Sequence, residues 1–140
     1  MGNNFTQLYV HCVWATWNRM PLITPEIKHH LYNAIAHKCE AINCCLIAIG
    51  GIHDHIHILT RFPPSLSISK LVKDIKGNSS HFINHQIKPP QVFKWQANYG
   101  AFTVNRPGIP AVANYIKNQE KHHREKSLIT ELELVEELDF

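Results

Sequence analysis

Long apolar runs are missing from this 140-residue chain: nothing in it approaches the ~18–20 consecutive apolar residues that a membrane-spanning helix needs. A Cys-x-x-Cys pair is missing as well. Cys12, Cys39, Cys44 and Cys45 lack the spacing of a structural zinc or dithiol site and read as reduced, mostly buried thiols. Met1-Gly2-Asn3-Asn4 opens no signal peptide. Cytoplasm is therefore the default expectation, with no membrane partner. There is no internal repeat, low-complexity tract or long linker, which leaves one domain large enough to bury a core.

Acidic residues are scarce until the last ten positions. Residues 131–140 hold five acids and no Lys or Arg, so residues 1–130, with 14 basic and 6 acidic residues, carry a net +8. A basic body is compatible with a polyanionic partner, although many solvated surfaces are Lys-rich too.

Residues 6–16 alternate, with Leu8, Val10, Cys12 and Trp14 on one side and Tyr9, His11, Val13 and Ala15 on the other, the pattern of a buried strand. Thr24-Pro25 caps a first helix carrying Ile27, Leu31, Ile35, Cys39 and Ile42 at helical spacing. Residues 44–49 form a second strand, Gly50-Gly51 a hairpin signal, and residues 52–61 a third strand. Ser65 or Ser67 opens a second helix, and Phe93 to Val104 reads as a fourth strand, best defined over 100–104. A third helix follows from about Pro110 to Lys121, and Ser127 caps an acidic fourth helix with Leu128, Leu132, Val135 and Leu138 inward. The expected fold is α+β: a ferredoxin-like (RRM-like) βαββαβ antiparallel sheet with two additional C-terminal helices. The core spans 1–106, the third helix 107–126 and the acidic helix 127–140.

Within the third strand lies Gly51-Ile52-His53-Asp54-His55-Ile56-His57-Ile58-Leu59. Alternation puts His55 and His57 on one face, close enough for one metal ion, and Ile56 and Ile58 on the other. In the third helix Tyr115 and Gln119 are four apart and share a side, with His122 next. A tyrosine hydroxyl, an amide oxygen and two imidazoles are parts of a metal-assisted phosphoryl-transfer site. Taken singly, each has a plainer reading: a surface His pair, a packing Tyr, an uninformative Gln.

The joint pattern resembles the single-tyrosine HUH transposases, the small IS-two-hundred-like enzymes of insertion sequences. Besides the histidine strand, Lys76-Gly77-Asn78-Ser79-Ser80, Trp95-Gln96-Ala97-Asn98-Tyr99-Gly100-Ala101-Phe102 and Tyr115-Ile116-Lys117-Asn118-Gln119-Glu120-Lys121-His122-His123 are similar to that family's motifs, in order. The resemblance implies cleavage and rejoining of single-stranded DNA with imperfect hairpins through a 5′-phosphotyrosine. Tyr115 would be the nucleophile, and His55, His57 and Gln119 the ligands of Mg²⁺ or Mn²⁺. It further implies a homodimer whose sites are completed in trans. His53, on the same face in an ideal strand, departs from the pattern; Asp54 reads as structural, a hairpin acceptor. Arg19, Lys70, Lys73, Lys76 and Arg106 are candidate DNA contacts, each equally readable as solvated surface. Two alternatives stand beside this: a domesticated REP-associated hairpin nickase, and a non-catalytic ferredoxin-like nucleic-acid-binding module.

Overall fold

The computed structural model describes residues 4–125; the acidic helix expected from Ser127 lies outside them. The element order is β1 (Tyr9–Ala15), α1 (Pro25–Ala41), β2 (Cys45–Ile52), β3 (His55–Arg61), α2 (Ile68–Phe82), β4 (Gly100–Thr103), α3 (Ile109–Lys117) and α4 (Gln119–Glu125). The sheet order is β2-β3-β1-β4, with neighbours antiparallel. This is the expected ferredoxin-like arrangement, and the histidine strand β3 is internal.

Both main helices start where capping chemistry places them. The Thr24 hydroxyl accepts from Ile27 N (3.4 Å), Pro25 stands in the first turn, and the Ser67 hydroxyl accepts from Lys70 N (3.2 Å). Their apolar stripes, Ile27, Leu31, Ile35 and Cys39 on α1 and Leu71, Val72 and Ile75 on α2, meet Val10, Cys12, Trp14, Ile56 and Ile58 of the sheet in one core. Phe93 and Trp95 complete that core, Trp95 standing edge-on to Trp14 at 5.9 Å.

The opposite face of the sheet is different. His11, His55, His57 and Leu59 lie there, all buried, under α3 and α4. α3 is seated by a small second cluster of Ala48, Leu59, Ala113 and Ile116.

Three local expectations are corrected. Gly50-Gly51 is not the β2–β3 turn: both glycines are strand residues of β2, and the turn falls at His53-Asp54. A Cβ at position 50 would run into the carbonyl of Ile116, so this glycine lets α3 lie directly on the sheet beside His57, its cross-strand neighbour. The fourth strand is confined to Gly100–Thr103, residue 95 making only an isolated bridge with Thr16. The third helix is broken at Asn118, whose side-chain amide donates to Asn114 O (2.7 Å) and so competes for a helix carbonyl.

The Lys-Gly-x-Ser-Ser and Trp-Gln segments prove to clasp each other. Lys76 Nζ donates to the carbonyls of Gln96 and Asn98, and Trp95 Nε1 donates to Ser79 Oγ (3.0 Å). These bonds fix the connection that leads into β4.

Candidate active site

The turn after β2 and the first residues of β3 build one side of the site. His53 sits in the turn with its side chain 60% exposed, outside the buried histidine face on which an ideal strand would put it. Asp54 does more than accept a turn hydrogen bond. Its carboxylate accepts from His55 Nδ1 (2.9 Å) and from Arg19 Nε and Nη2 (3.2 and 3.3 Å). Burial alone raises the Asp54 pKa, but the His55 hydrogen bond and the Arg19 guanidinium outweigh it and bring the carboxyl down to about 2. A carboxylate can only accept, so His55 Nδ1 carries a proton, and whenever the ring is neutral its Nε2 presents a lone pair.

That lone pair meets α4. Gln119 Oε1 is 3.3 Å from His55 Nε2, and the amide's orientation is set by its Nε2 donating to Tyr115 O (3.4 Å). With the His55 ring neutral, two lone-pair-bearing atoms face each other in a buried position, an arrangement that a cation satisfies. The carboxylate behind a histidine is the support that metal-ligating imidazoles normally have. The donor chemistry therefore fits a divalent ion. Among the described residues, no group of three His, Cys, Asp or Glu side chains is arranged for a metal; beside the histidines the site offers the amide oxygen of Gln119 as a donor.

His57 stands beside this pair, its ring centroid 5.1 Å from that of His55. Its Nδ1 is 2.8 Å from Nε2 of fully buried His11, on the adjacent strand β1. Ligation through His57 Nε2 requires the Nδ1 proton to be donated to His11, which makes His11 the group that fixes the tautomer.

Tyr115 is buried against the histidines of its own chain, its ring 6.0 Å from His57 and 4.6 Å from His122. Within the single chain, α3 thus completes the histidine face in cis. His123, assigned no role from the sequence, reaches both His55 and Gln119 at 3.2 Å. Its signal was the four-residue step from Gln119, masked by the neighbouring His122.

The candidate DNA contacts divide. Arg19 is bound to Asp54, Lys76 is turned onto backbone carbonyls, and Lys70 pairs with Asp74 at 3.2 Å. Lys73 and Arg106 are exposed. Lys73 and Lys94 line an open groove of 440 Å³ with Ser80 and Tyr99, and Lys94 also lies 3.8 Å over the half-exposed ring of Trp17.

A ferredoxin-like sheet with a buried histidine pair under a tyrosine-bearing helix defines the class of protein. The family model described as "Transposase IS200 like" matches residues 4–119, and the chain belongs to that family. It is 28% identical over 115 residues to the transposase for insertion sequence element IS200 of Salmonella typhimurium strain LT2, covering 78% of this chain and 74% of the relative. The Salmonella typhi transposase for the same element matches equally. Among solved structures, a putative transposase from Deinococcus radiodurans R1 superposes with a TM-score of 0.66 at 25% identity, over 85% of this chain and 95% of the other. A REP-associated tyrosine transposase bound to a REP hairpin has the same fold, with a TM-score of 0.64 at 14% identity over 91% and 74% of the two chains.

Proposed function

We propose that this transposase cleaves and rejoins single-stranded DNA through a covalent 5′-phosphotyrosine on Tyr115. The observation that carries the reading is the packing of Tyr115 against buried His57, one helical turn from the facing donors His55 Nε2 and Gln119 Oε1. Attack of Tyr115 Oη on the scissile phosphorus forms the Tyr–O–P bond and breaks the bond to the 3′ oxygen. The phenol loses its proton, and the departing 3′ oxygen gains one. In the reverse direction a 3′ hydroxyl attacks the phosphotyrosine and releases Tyr115, so rejoining needs no nucleotide cofactor.

His55, His57 and Gln119 would hold Mg²⁺ or Mn²⁺, which supplies charge neutralisation at the non-bridging phosphate oxygens. Asp54 and His11 orient the two imidazoles from behind. Lys73, Lys94 and Trp17 offer a charged and aromatic path for a single strand. A hairpin-bearing substrate is favoured by the fold neighbour solved with a REP hairpin.

The test is incubation with single-stranded hairpin DNA and Mn²⁺ or Mg²⁺, followed by denaturing electrophoresis. A covalent adduct is expected that is absent in Tyr115→Phe and strongly reduced in His57→Ala. An undiminished adduct in Tyr115→Phe removes the assignment. Assembly in trans, as a homodimer exchanging α3, predicts that mixed Tyr115→Phe and His57→Ala subunits regain activity. Absence of rescue despite subunit exchange leaves the cis arrangement of the single chain as the working one.

A further inference from the structure

We propose that His123 is a direct ligand of the same divalent cation as His55 and Gln119. With His57 the centre then has four protein donors, three of which form one face of its shell, and it is selective for Mn²⁺ over Mg²⁺. The inference rests on the reading of this site as a metal centre and adds a residue and a metal preference to it.

Three atoms carry it. His55 Nε2, Gln119 Oε1 and His123 Nε2 stand 3.3, 3.2 and 3.2 Å from one another, a nearly equilateral triangle. Adjacent donors around a divalent ion with bonds of ~2.1 Å are separated by roughly 3.0–3.4 Å in octahedral or tetrahedral geometry. The triangle therefore has the dimensions of one face of a coordination shell.

The fold builds this spacing in. Gln119 and His123 are four apart on α4, so one helical turn sets their separation. The break at Asn118 separates α4 from α3, and both α4 donors then act as a unit distinct from the nucleophile's helix. The neighbouring histidines divide their work: His122 lies against the Tyr115 ring at 31° between planes, and His123 turns to His55. Across the triangle, His55 is held by the Asp54 carboxylate, itself anchored by Arg19.

Ligand type decides the ion. Three imidazole nitrogens and one amide oxygen are a poor set for Mg²⁺, which prefers oxygen, and a good one for Mn²⁺ or a later first-row ion.

The test is Mn²⁺ titration of the full-length protein, read by electron paramagnetic resonance of free and bound ion. It is combined with electron spin echo detection of nitrogen couplings in protein carrying ¹⁵N-histidine. Wild type is expected to bind Mn²⁺ more tightly than Mg²⁺ in competition and to show one more coupled imidazole nitrogen than His123→Ala. Affinity in His123→Ala should fall about 10–100-fold, the range seen even for supporting residues of metal sites. His123→Gln, which keeps an oxygen donor, should lose the nitrogen coupling but retain more affinity. His53→Ala should change neither readout. Equal affinity and an equal nitrogen count in wild type and His123→Ala overturn this inference alone and leave the metal centre standing. Failure of wild type to bind Mn²⁺ overturns both. Preference for Mg²⁺ in competition overturns the selectivity.

Discussion

On β3, Ile56 and Ile58 face α1 and α2, while His55, His57 and Leu59 face α3 and α4. The helix side is filled by large apolar side chains from five elements and two aromatic residues of the segment before β4. The histidine side buries imidazoles that satisfy one another and the Asp54 carboxylate, and its covering helix is seated by two alanines, a leucine and an isoleucine. Area removed from water contributes about 25 cal/mol per Å², so stability is concentrated on the first side. The second side gives its buried volume to imidazoles, and its cover rests on a smaller apolar cluster to which Ile47, Val104, Ile109 and Val112 add partly buried area.

Substitutions on the two sides should therefore separate stability from activity. Ile56→Ala or Ile58→Ala opens a cavity in the main core and is expected to cost about 2–5 kcal/mol in urea unfolding. Gly50→Ala places a methyl against the Ile116 carbonyl and lifts α3. Its stability cost is smaller, about 1–3 kcal/mol, but adduct yield should fall by at least an order of magnitude with the far-ultraviolet spectrum retained. If Gly50→Ala instead unfolds the protein as readily as Ile56→Ala, the two faces are equally structural and the contrast fails.

Asp54→Asn removes the carboxylate behind His55 while leaving the core untouched. Metal affinity and adduct yield are expected to drop about 10–100-fold, with a loss of only about 1 kcal/mol in stability near neutral pH, because the partly buried carboxylate favours the folded state through Arg19 and His55.

The smallest effect belongs to Lys76, on the helix side. Burial brings its pKa down from 10.5 to about 8. Between those values the unfolded chain binds more protons at this site than the folded one, so Lys76 makes stability rise with pH across that window. Because the group is half-exposed, the gain relative to Lys76→Gln is about 1–2 kcal/mol, complete by the upper end of the window and absent below its lower end. Parallel unfolding curves from pH 7 to 10.5 for the two proteins check the sign.

Strand alternation and helix caps are local properties, and both faces of the sheet, the Thr24 and Ser67 caps and the histidine pair were legible from them. So was the shared side of Tyr115 and Gln119, although Asn118 breaks the helix between them. The misplaced turn has a tertiary cause. Gly50 serves the approach of α3, a contact 66 residues away in the chain, which no local rule separates from a turn glycine. Lys76, readable from the sequence as a DNA contact or as solvated surface, turns inward because carbonyls of the segment before β4 receive it. Asp54, whose sequence reading stops at a turn acceptor, and His11 and His123, which have no site role there, share one reason for this. Each acts through a partner on another element, and pairing of that kind has no periodicity to read.

The central claim is that Tyr115 itself takes the DNA. Its most direct test is to isolate the denatured protein–DNA adduct, digest it with trypsin and nuclease, and locate the retained nucleotide by tandem mass spectrometry. A 5′-linked nucleotide on Tyr115 is expected, in the peptide ending at Lys117. A nucleotide on any other side chain, or cleavage of the DNA with no nucleotide retained, would contradict it.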